Sequence, residues 1–382
     1  MDYDKELNEL LDIISEYVNY ERCREADERS KASLLCEYVD RPPLVIQATF
    51  GFDVMSLPYP WDRFKLYSYK ETFDNPAAML QNALLERVVP GLILKDDNPL
   101  AIRNNHGTIQ IASILGGKWM LFENNNPWIE HFDRKEDIER IAFSNEEINL
   151  NGGILQKSLE TLKYYHEKLR EYPSCYKAIQ ISIPDLEGPI NTAEQLWGSD
   201  IYYAFYDEPQ LLHKLFGKIT DTMLDIYYLF RRYSTDRLLP VSSTQHFYQI
   251  PGNILIRDDS SIIVSPELYE EFIMPYDAKL LAKIGGGSIH FCGDGAHLIS
   301  KMTEIKGIMG LDFGQPWYMD IGSIYANCRE KKIALTHLSP SREDLISGKA
   351  AADFPTGAVF VYYTNNIDDA KEVIEGYQSK KN

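Results

Sequence analysis

The run SIHFC at positions 288–292 places a histidine and a cysteine two residues apart, and a Gly-Asp-Gly turn follows at once. If the run is a β-strand, alternate side chains face opposite sides, so His290 and Cys292 share one face. An imidazole nitrogen and a thiol sulfur at one strand end are two good zinc ligands. The alternative is a buried cysteine beside a hydrogen-bonded core histidine. The elements around the pair must decide between these interpretations.

Short apolar runs that end on polar or glycine residues recur along the chain and predict β-strands. They lie at 44–49, 100–105, 178–184, 238–247, 288–292, 307–314, 332–338 and 358–365. Helical patterns separate them, for example at 75–88, 207–232, 266–284 and 341–348. Eight strands alternating with helices are typical of an α/β fold of the (β/α)8 TIM-barrel type. A doubly wound sheet is the alternative, but no GxGxxG fingerprint follows an early strand.

The first forty residues form a separate pattern, with Leu7, Leu10, Leu11 and Ile14 at helical spacing. This pattern stops at Arg41-Pro42-Pro43, since proline does not continue a helix and extends the residue before it. We therefore expect an N-terminal helical extension over 1–42 and the barrel over 43–382.

In a TIM barrel the functional side chains lie at the carboxyl ends of the strands. Four of the eight histidines fall at such ends in the predicted strands, at positions 106, 246, 290 and 337. We take these ends as one site with three kinds of residue. The expected catalytic residues are Glu187, His246 and Asp312, the expected substrate-binding residues are Asn105, His106, Gln245, Tyr363 and Asn365, and the expected metal ligands are His290 and Cys292.

The composition excludes several classes of function. The 57 acidic residues outnumber the 39 basic ones, and a net charge of −18 disfavours binding to nucleic acid or to an anionic membrane. No apolar run approaches the roughly 18 residues that a membrane span needs. Five scattered cysteines do not form a disulfide framework, and the acidic N-terminus is unlike a secretory signal. We expect a cytoplasmic enzyme.

Several stretches, taken together and in order, make the second half of the chain similar to the uroporphyrinogen decarboxylase superfamily. They are EGPINTAEQLWGSDIYYAFYDEPQLLHKLFGKITD (187–221), DDSSIIVSPELYEEFIMPY (258–276), HFCGDGAHLISKM (290–302), LDFG (311–314) and, more loosely, HLSPSREDLISG (337–348). The resemblance implies a (β/α)8 barrel. It also implies one of two chemistries, metal-free decarboxylation of a porphyrinogen or methyl transfer involving a corrinoid, a thiol and zinc.

The differences between the branches favour the second chemistry. Decarboxylases of this superfamily hold their substrate with an arginine-rich segment after an Arg-Pro-Pro motif. Here the corresponding stretch, RPPLVIQATFGFD, has Ala48, Phe50 and Phe52 where arginines are expected. A multiply anionic porphyrinogen needs a cationic cradle, and this segment does not supply one.

The resemblance to the methyltransferases implies zinc held by His290, Cys292 and a further cysteine near the last strand. No cysteine occurs near Tyr362–Thr364, where the sequence is VYYTNN. The site is therefore either rebuilt or lost. Replacement ligands can come from Glu187, His246, Asp258, Asp259 or His337.

The resulting hypothesis is a cytoplasmic methyltransferase that moves a methyl group between a small molecule and a corrinoid or thiol with the help of zinc. The corrinoid is expected on a separate protein, since no DxHxxG cobalamin motif is present, and the enzyme is expected to be a homodimer. The alternatives are a decarboxylase of tetrapyrrole metabolism and a metal-free partner subunit without catalytic activity.

Overall fold

The computed structural model describes residues 2–48, 51–123 and 125–379. Thr49, where the first predicted strand ends, and Phe50 of the RPPLVIQATFGFD segment lie outside the described residues. The centre of the fold is a six-stranded parallel sheet with helices around it. The strands are β1 Leu44–Gln47, β2 Ala101–Ile102, β3 Lys118–Met120, β4 Trp128–Glu130, β5 Gln180–Ile181, β6 Ser242–Ser243, β7 Ile250–Pro251, β8 Leu255–Arg257, β9 Gly287–Phe291, β10 Ile308–Phe313, β11 Ala334–Leu338 and β12 Ala358–Tyr363.

Helices connect these strands and cover the sheet. They are α1 Tyr3–Tyr17, α2 Tyr20–Leu34, α3 Tyr69–Asp74, α4 Pro76–Ala83, α5 Val89–Leu94, α6 Gln110–Ile114, α7 Lys135–Phe143, α8 Gly153–Arg170, α9 Pro173–Ala178, α10 Pro189–Trp197, α11 Ile201–Asp207, α12 Pro209–Arg231, α13 Pro266–Leu268, α14 Met274–Ile284, α15 Ile299–Met302, α16 Ile321–Glu330, α17 Arg342–Ser347, α18 Lys349–Asp353 and α19 Ile367–Gln378. The 3₁₀ turns are Val54–Ser56, Trp61–Arg63, Gly198–Asp200, Gln245–Phe247, Asp259–Ile263, Ala296–Leu298 and Pro316–Tyr318, and the π-helical turns are Leu84–Val88 and Tyr269–Ile273.

The main sheet has the order β1-β12-β11-β10-β9-β8, and β2 pairs in parallel with β5. A parallel bridge between Glu187 and Arg257 extends the second group toward the first. On the other side, the Asp97 N–H donates to the Leu44 carbonyl (3.0 Å). The result is a TIM-like α/β fold in which eight parallel strands follow one another along the chain. Within the described residues, the eight parallel strands form one ladder of six strands and one of two, so the closed barrel stays a prediction.

The predicted strand at 238–247 is wrong. Within this segment only β6 is extended, and it pairs antiparallel with β7 rather than with the main sheet. His246 and Phe247 have φ of 63° and 65°, a left-handed backbone that ends a strand. The parallel strand beside β9 is instead β8, which is fully buried and short.

The N-terminal extension consists of two helices that break at Val18 and Asn19. The Asn19 side chain caps α2 by accepting from the Arg22 N–H (3.2 Å). The apolar face of α1 is buried, as its periodicity predicts, and its fully covered residues are Leu7, Leu10, Leu11 and Ile14. Ser33 of α2 donates its hydroxyl to the Ala358 carbonyl of β12 (2.8 Å), so the extension packs directly on the main sheet.

One helical segment in the described chain, Pro76–Leu94, is long and apolar enough by composition to cross a membrane. It is not an unbroken apolar run, because Glu86 and Arg87 interrupt it. Inside the fold 67% of this segment is buried, which is the position of a core helix.

Candidate active site

The register of the main sheet aligns four polar residues in one row across β8 to β11. Arg257 is paired with His290, His290 with Asp312, and Asp312 with Thr336. Register partners in parallel strands point to the same side of the sheet. The sheet therefore assembles this row near the carboxyl ends of four strands, where TIM-like folds hold their functional groups.

His290 of this row and two side chains beside it have the arrangement of metal ligands. His290 Nε2 lies 3.5 Å from Cys292 Sγ and 3.6 Å from Asp259 Oδ1, and the three ligand atoms all lie within 4.8 Å of one another. In a tetrahedral zinc site with bonds of about 2.0–2.3 Å, ligand atoms lie about 3.3–3.8 Å apart. Catalytic zinc characteristically has three protein ligands and one open position. Asp259, His290 and Cys292, here called the ligand triad, fit that description.

The electrostatics of the triad favour a bound cation. Burial, together with the neighbouring Asp259 and Asp312 carboxylates, raises the pKa of Cys292 to about 12. Asp259 itself also accepts the Cys292 backbone N–H (2.7 Å), which fixes its carboxylate next to the thiol. A thiol surrounded by anions stays protonated at neutral pH unless a positive charge offsets them.

Asp312 orients the histidine of the triad. It is fully buried, and its Oδ1 accepts from His290 Nδ1 (2.5 Å) while its Oδ2 accepts from the hydroxyls of Tyr248 (2.8 Å) and Thr336 (2.6 Å). Burial pushes its pKa upward, but hydrogen bonds and charge from His246 and His290 hold the pKa of Asp312 well below its usual range. A carboxylate on Nδ1 leaves Nε2 as the ligand atom, which is the usual support of a metal-bound histidine.

His246 enters the site from the left-handed turn that replaced the predicted strand. Its Nδ1 lies 3.3 Å from Asp312 Oδ1 and 3.2 Å from the Tyr248 hydroxyl, and its Nε2 accepts from Arg257 Nη1 (2.7 Å). His246, Asp312 and His337 form a second group whose ligand atoms lie within 4.8 Å of one another. Both ring nitrogens of His246 have partners, Arg257 at Nε2 and Tyr248 with Asp312 at Nδ1, so we interpret this group as a hydrogen-bonding network.

Glu187 is linked to the triad through one bridging side chain, that of Asn191. Its Oε2 accepts from Asn191 Nδ2 (2.6 Å), and the same amide donates to Asp259 Oδ2 (3.2 Å). Desolvation raises the pKa of Glu187 to about 7, and the nearby Asp259 charge adds to the shift. A carboxyl group with this pKa can give or take a proton at neutral pH.

A cavity of about 350 Å³ opens next to this network. Phe247 lies in its wall with the guanidinium carbons of Arg87 and Arg103 at 4.0 Å and 4.6 Å from its ring centre. Asp185, also in the wall, accepts from Arg103 and from Arg257 through the same oxygen. Arg257 therefore contacts the cavity wall on one side and His246 on the other.

The remaining predicted residues have varied surroundings. Asn105 lines the cavity, whereas His106 is only 1% exposed and packs edge-on against Phe73 with ring centres 5.2 Å apart. Gln245 is buried and bonds to Ser243 and to the Leu255 N–H.

Two more candidates lie at the end of the last strand. The partly exposed Tyr363 shares a hydrogen bond of 2.6 Å with His337, and Asn365 is exposed. Among the proposed replacement ligands, Asp258 lies away from the triad. Burial and the adjacent Asp277 of α14 raise the pKa of Asp258 far above its usual value.

Five residues of the site and its cavity had no assigned role in the sequence analysis: Arg87, Arg103, Asn191, Tyr248 and Arg257. A charged residue inside the buried run LIR of β8 was a usable signal for Arg257, since buried charges are normally paired. Arg103 carries a similar signal in the predicted strand 100–105. Nothing in the linear pattern indicates Arg87, Asn191 or Tyr248, whose positions depend on tertiary contacts.

Comparisons with known proteins identify the fold and leave the family open. No known family profile and no curated protein matches the sequence. Among solved structures, a methyltransferase from Methanosarcina mazei is similar to this chain, with a TM-score of 0.65 and 18% sequence identity. The similarity covers 93% of this chain and 98% of that one. At this identity the likeness shows a shared fold.

Proposed function

We propose that the protein is a metal-dependent methyltransferase built on a closed (β/α)8 barrel of the uroporphyrinogen decarboxylase type. The observation that carries the proposal is the ligand triad, whose nitrogen lies at zinc-like separations from the sulfur and the oxygen. The buried carboxylate on His290 Nδ1 adds to it, since metal-binding histidines have such a partner. The name of the Methanosarcina mazei neighbour is consistent with the same reaction class.

The donor set indicates which metal is held. A thiolate and an imidazole suit zinc, whereas magnesium and calcium prefer all-oxygen sites. Asp259 takes the place of the cysteine that the resemblance implies near the last strand. Bound there, zinc supplies Lewis-acid activation of the heteroatom that carries or accepts the methyl group.

The protein side chains manage the proton of the reaction. When the bond between methyl carbon and oxygen breaks, the methyl group goes to the acceptor and the departing oxygen needs a proton. Glu187 is the donor we propose, because its pKa of about 7 leaves it partly protonated at neutral pH. The acceptor is a corrinoid on a separate protein or a thiol, and five free cysteines agree with a reducing, cytoplasmic location.

The decarboxylase alternative is less favoured by the cavity. Arg103 and Arg257 are both engaged by Asp185, which leaves Arg87 as the lining guanidinium without an ion pair in the described chain. One such group suits one anionic substituent, whereas a porphyrinogen presents many.

Metal analysis of the purified protein tests the proposal. We expect about one zinc per chain, and Cys292→Ser should release most of it because a serine hydroxyl is a far poorer ligand than a thiolate. Cys36→Ser is the matched control, since Cys36 is also half-buried and lies outside the triad. Methyl transfer to free cobalt(I) corrinoid should fail in the first variant and persist in the second.

Two results would contradict the proposal of a metal-dependent methyltransferase. Metal-free protein that still transfers methyl groups would remove the role of the triad. Metal-free protein without transfer would favour decarboxylation or a partner subunit, and an assay of porphyrinogen decarboxylation separates those two.

A further inference from the structure

The wall of the 350 Å³ cavity includes a π-helical turn whose charged side chains line the cavity. Glu86 and Arg87 lie in the π-helical turn Leu84–Val88, between α4 and α5, and both line the cavity. A π turn adds a residue to the helical repeat and changes the direction of the side chains that follow. Such turns are frequent at functional sites. This one brings a half-buried arginine to the cavity from an otherwise apolar core helix.

Arg87 has no carboxylate partner within ion-pair distance and no side-chain hydrogen bond among the described residues. Its contact is with the Phe247 ring, whose face it covers. A guanidinium stacked on a ring keeps its N–H donors at its edge, free for another group. A ligand in the cavity that accepts from these donors gains a hydrogen bond to a charged group.

The charges around the cavity indicate the sign of that ligand. Three guanidiniums, of Arg87, Arg103 and Arg257, are close to two carboxylates, of Glu86 and Asp185. Burial raises the pKa of Glu86, whereas the neighbouring Arg87 charge lowers it. Asp185 is shared by Arg103 and Arg257, and Asp312 and Asp259 act on Arg257 from the side of the triad. Arg87 makes no ion pair among the described residues, so it is the lining guanidinium that one anionic group would balance.

We propose that this cavity binds the carboxylate of a small methyl-bearing acid, with Arg87 as the residue that determines this specificity. The inference rests on the proposed function, whose substrate class it names. A planar carboxylate matches the two parallel donors of a guanidinium, whereas a neutral amide presents one acceptor. Arg257 joins the cavity wall to His246, so the cavity lies beside the Asp312 network that supports the triad.

Binding of matched acids and amides tests the proposal without turnover. The probes are methoxyacetate and 4-methoxybenzoate, each paired with its amide, and the measurement is titration calorimetry at fixed ionic strength. At least one acid should bind the wild type about ten- to a hundred-fold more tightly than its amide. This is the affinity difference that one hydrogen bond to a charged group usually gives. Arg87→Gln should abolish that preference.

One variant serves as the control, and a second replaces Arg87→Gln if that variant does not fold. Arg329→Gln removes an exposed arginine on α16 and should leave the preference unchanged. If Arg87→Gln does not fold, Arg87→Lys carries the test, since lysine keeps the charge without the paired donors and should weaken the preference. The inference is overturned if neither acid is preferred by the wild type, or if Arg87→Gln retains the preference.

The outcome can be separated from that of the proposed function. Zinc content is measured on the same samples, and Arg87→Gln should bind zinc as the wild type does. Metal-free protein that prefers acids through Arg87 contradicts the metal proposal alone. Zinc-loaded protein without the preference contradicts the present inference alone.

Discussion

The hydrogen bond between Asp312 and His290 offers a sharp test of the site, through the substitution Asp312→Asn. The carboxylate is fully buried and accepts from His290 Nδ1 on one oxygen and from two hydroxyls on the other. An asparagine oxygen can still accept from His290. Its amide then faces the hydroxyls of Tyr248 and Thr336, which must turn from donors into acceptors, and the negative charge behind the imidazole is lost.

Loss of that charge lowers the basicity of His290 Nε2 toward a metal. Removing such a supporting partner usually costs about 10- to 100-fold in metal affinity, or about 1.4–2.8 kcal/mol. Tyr248→Phe is the matched control, because it keeps both the charge of Asp312 and its bond to His290. It removes one 2.8 Å hydrogen bond to the same carboxylate and the 3.2 Å contact with His246 Nδ1. We expect less than about a ten-fold loss from it, as for a single hydrogen bond to a charged group.

Competition with a chromophoric zinc chelator at pH 7.5 (roughly a unit above the ordinary histidine pKa) measures both affinities, and circular dichroism confirms that both variants are folded. The order wild type, Tyr248→Phe, Asp312→Asn is the expected result. Equal zinc affinity in wild type and Asp312→Asn would show that His290 is not a ligand. Equal losses in the two variants would show that the carboxylate acts through the network as a whole and not through His290.

Two further predictions concern stability. Asp97 is buried between Arg41 (2.5 Å) and Arg29 (2.7 Å), so Asp97→Asn should lower the free energy of unfolding in urea by about 3–5 kcal/mol. Asp40→Asn breaks only a half-exposed pair with Arg29 and should cost less than about 1 kcal/mol, so similar costs for the two variants would contradict this account. Burial and Lys157 lower the pKa of His106 to about 4. The unfolded chain therefore binds the proton first as the pH falls below about 6.5, and wild type should lose about 2 kcal/mol relative to His106→Phe between pH 7 and pH 5. A difference in unfolding free energy that stays constant over this range would contradict it.

The sequence predicted those parts of the site that depend on local pattern. Period-two alternation and the following glycine turn placed His290 and Cys292 at the end of a buried strand, and an apolar run placed Asp312 on the next one. Which of the two aspartates lies beside the thiol could not be predicted, because Asp258 and Asp259 are neighbours in sequence. Only tertiary packing places Asp258 beside Asp277 and Asp259 beside the thiol.

Tertiary structure also decided where the fourth parallel strand lies. The run 238–247 has strand-like composition, but His246 and Phe247 adopt left-handed backbone angles that alternation cannot reveal. Likewise, Arg87 interrupts an apolar helix, and its direction depends on a π turn for which no sequence signal was available. In each case a local preference was overridden by contacts distant in sequence.

Arg257 joins the wall of the cavity to the surroundings of the ligand triad. One of its nitrogens donates to Asp185 in the cavity wall, and another donates to His246, which lies against Asp312. If an acid drew Arg103 or Arg257 away from Asp185, we would expect the surroundings of His290 to change through His246 and Asp312. By thermodynamic linkage, the factor by which a bound acid alters zinc affinity equals the factor by which zinc alters affinity for the acid. A change in zinc affinity would thus report an acid bound in the cavity, and a change in affinity for the acid would report bound zinc. Replacement of Arg257 should remove this coupling.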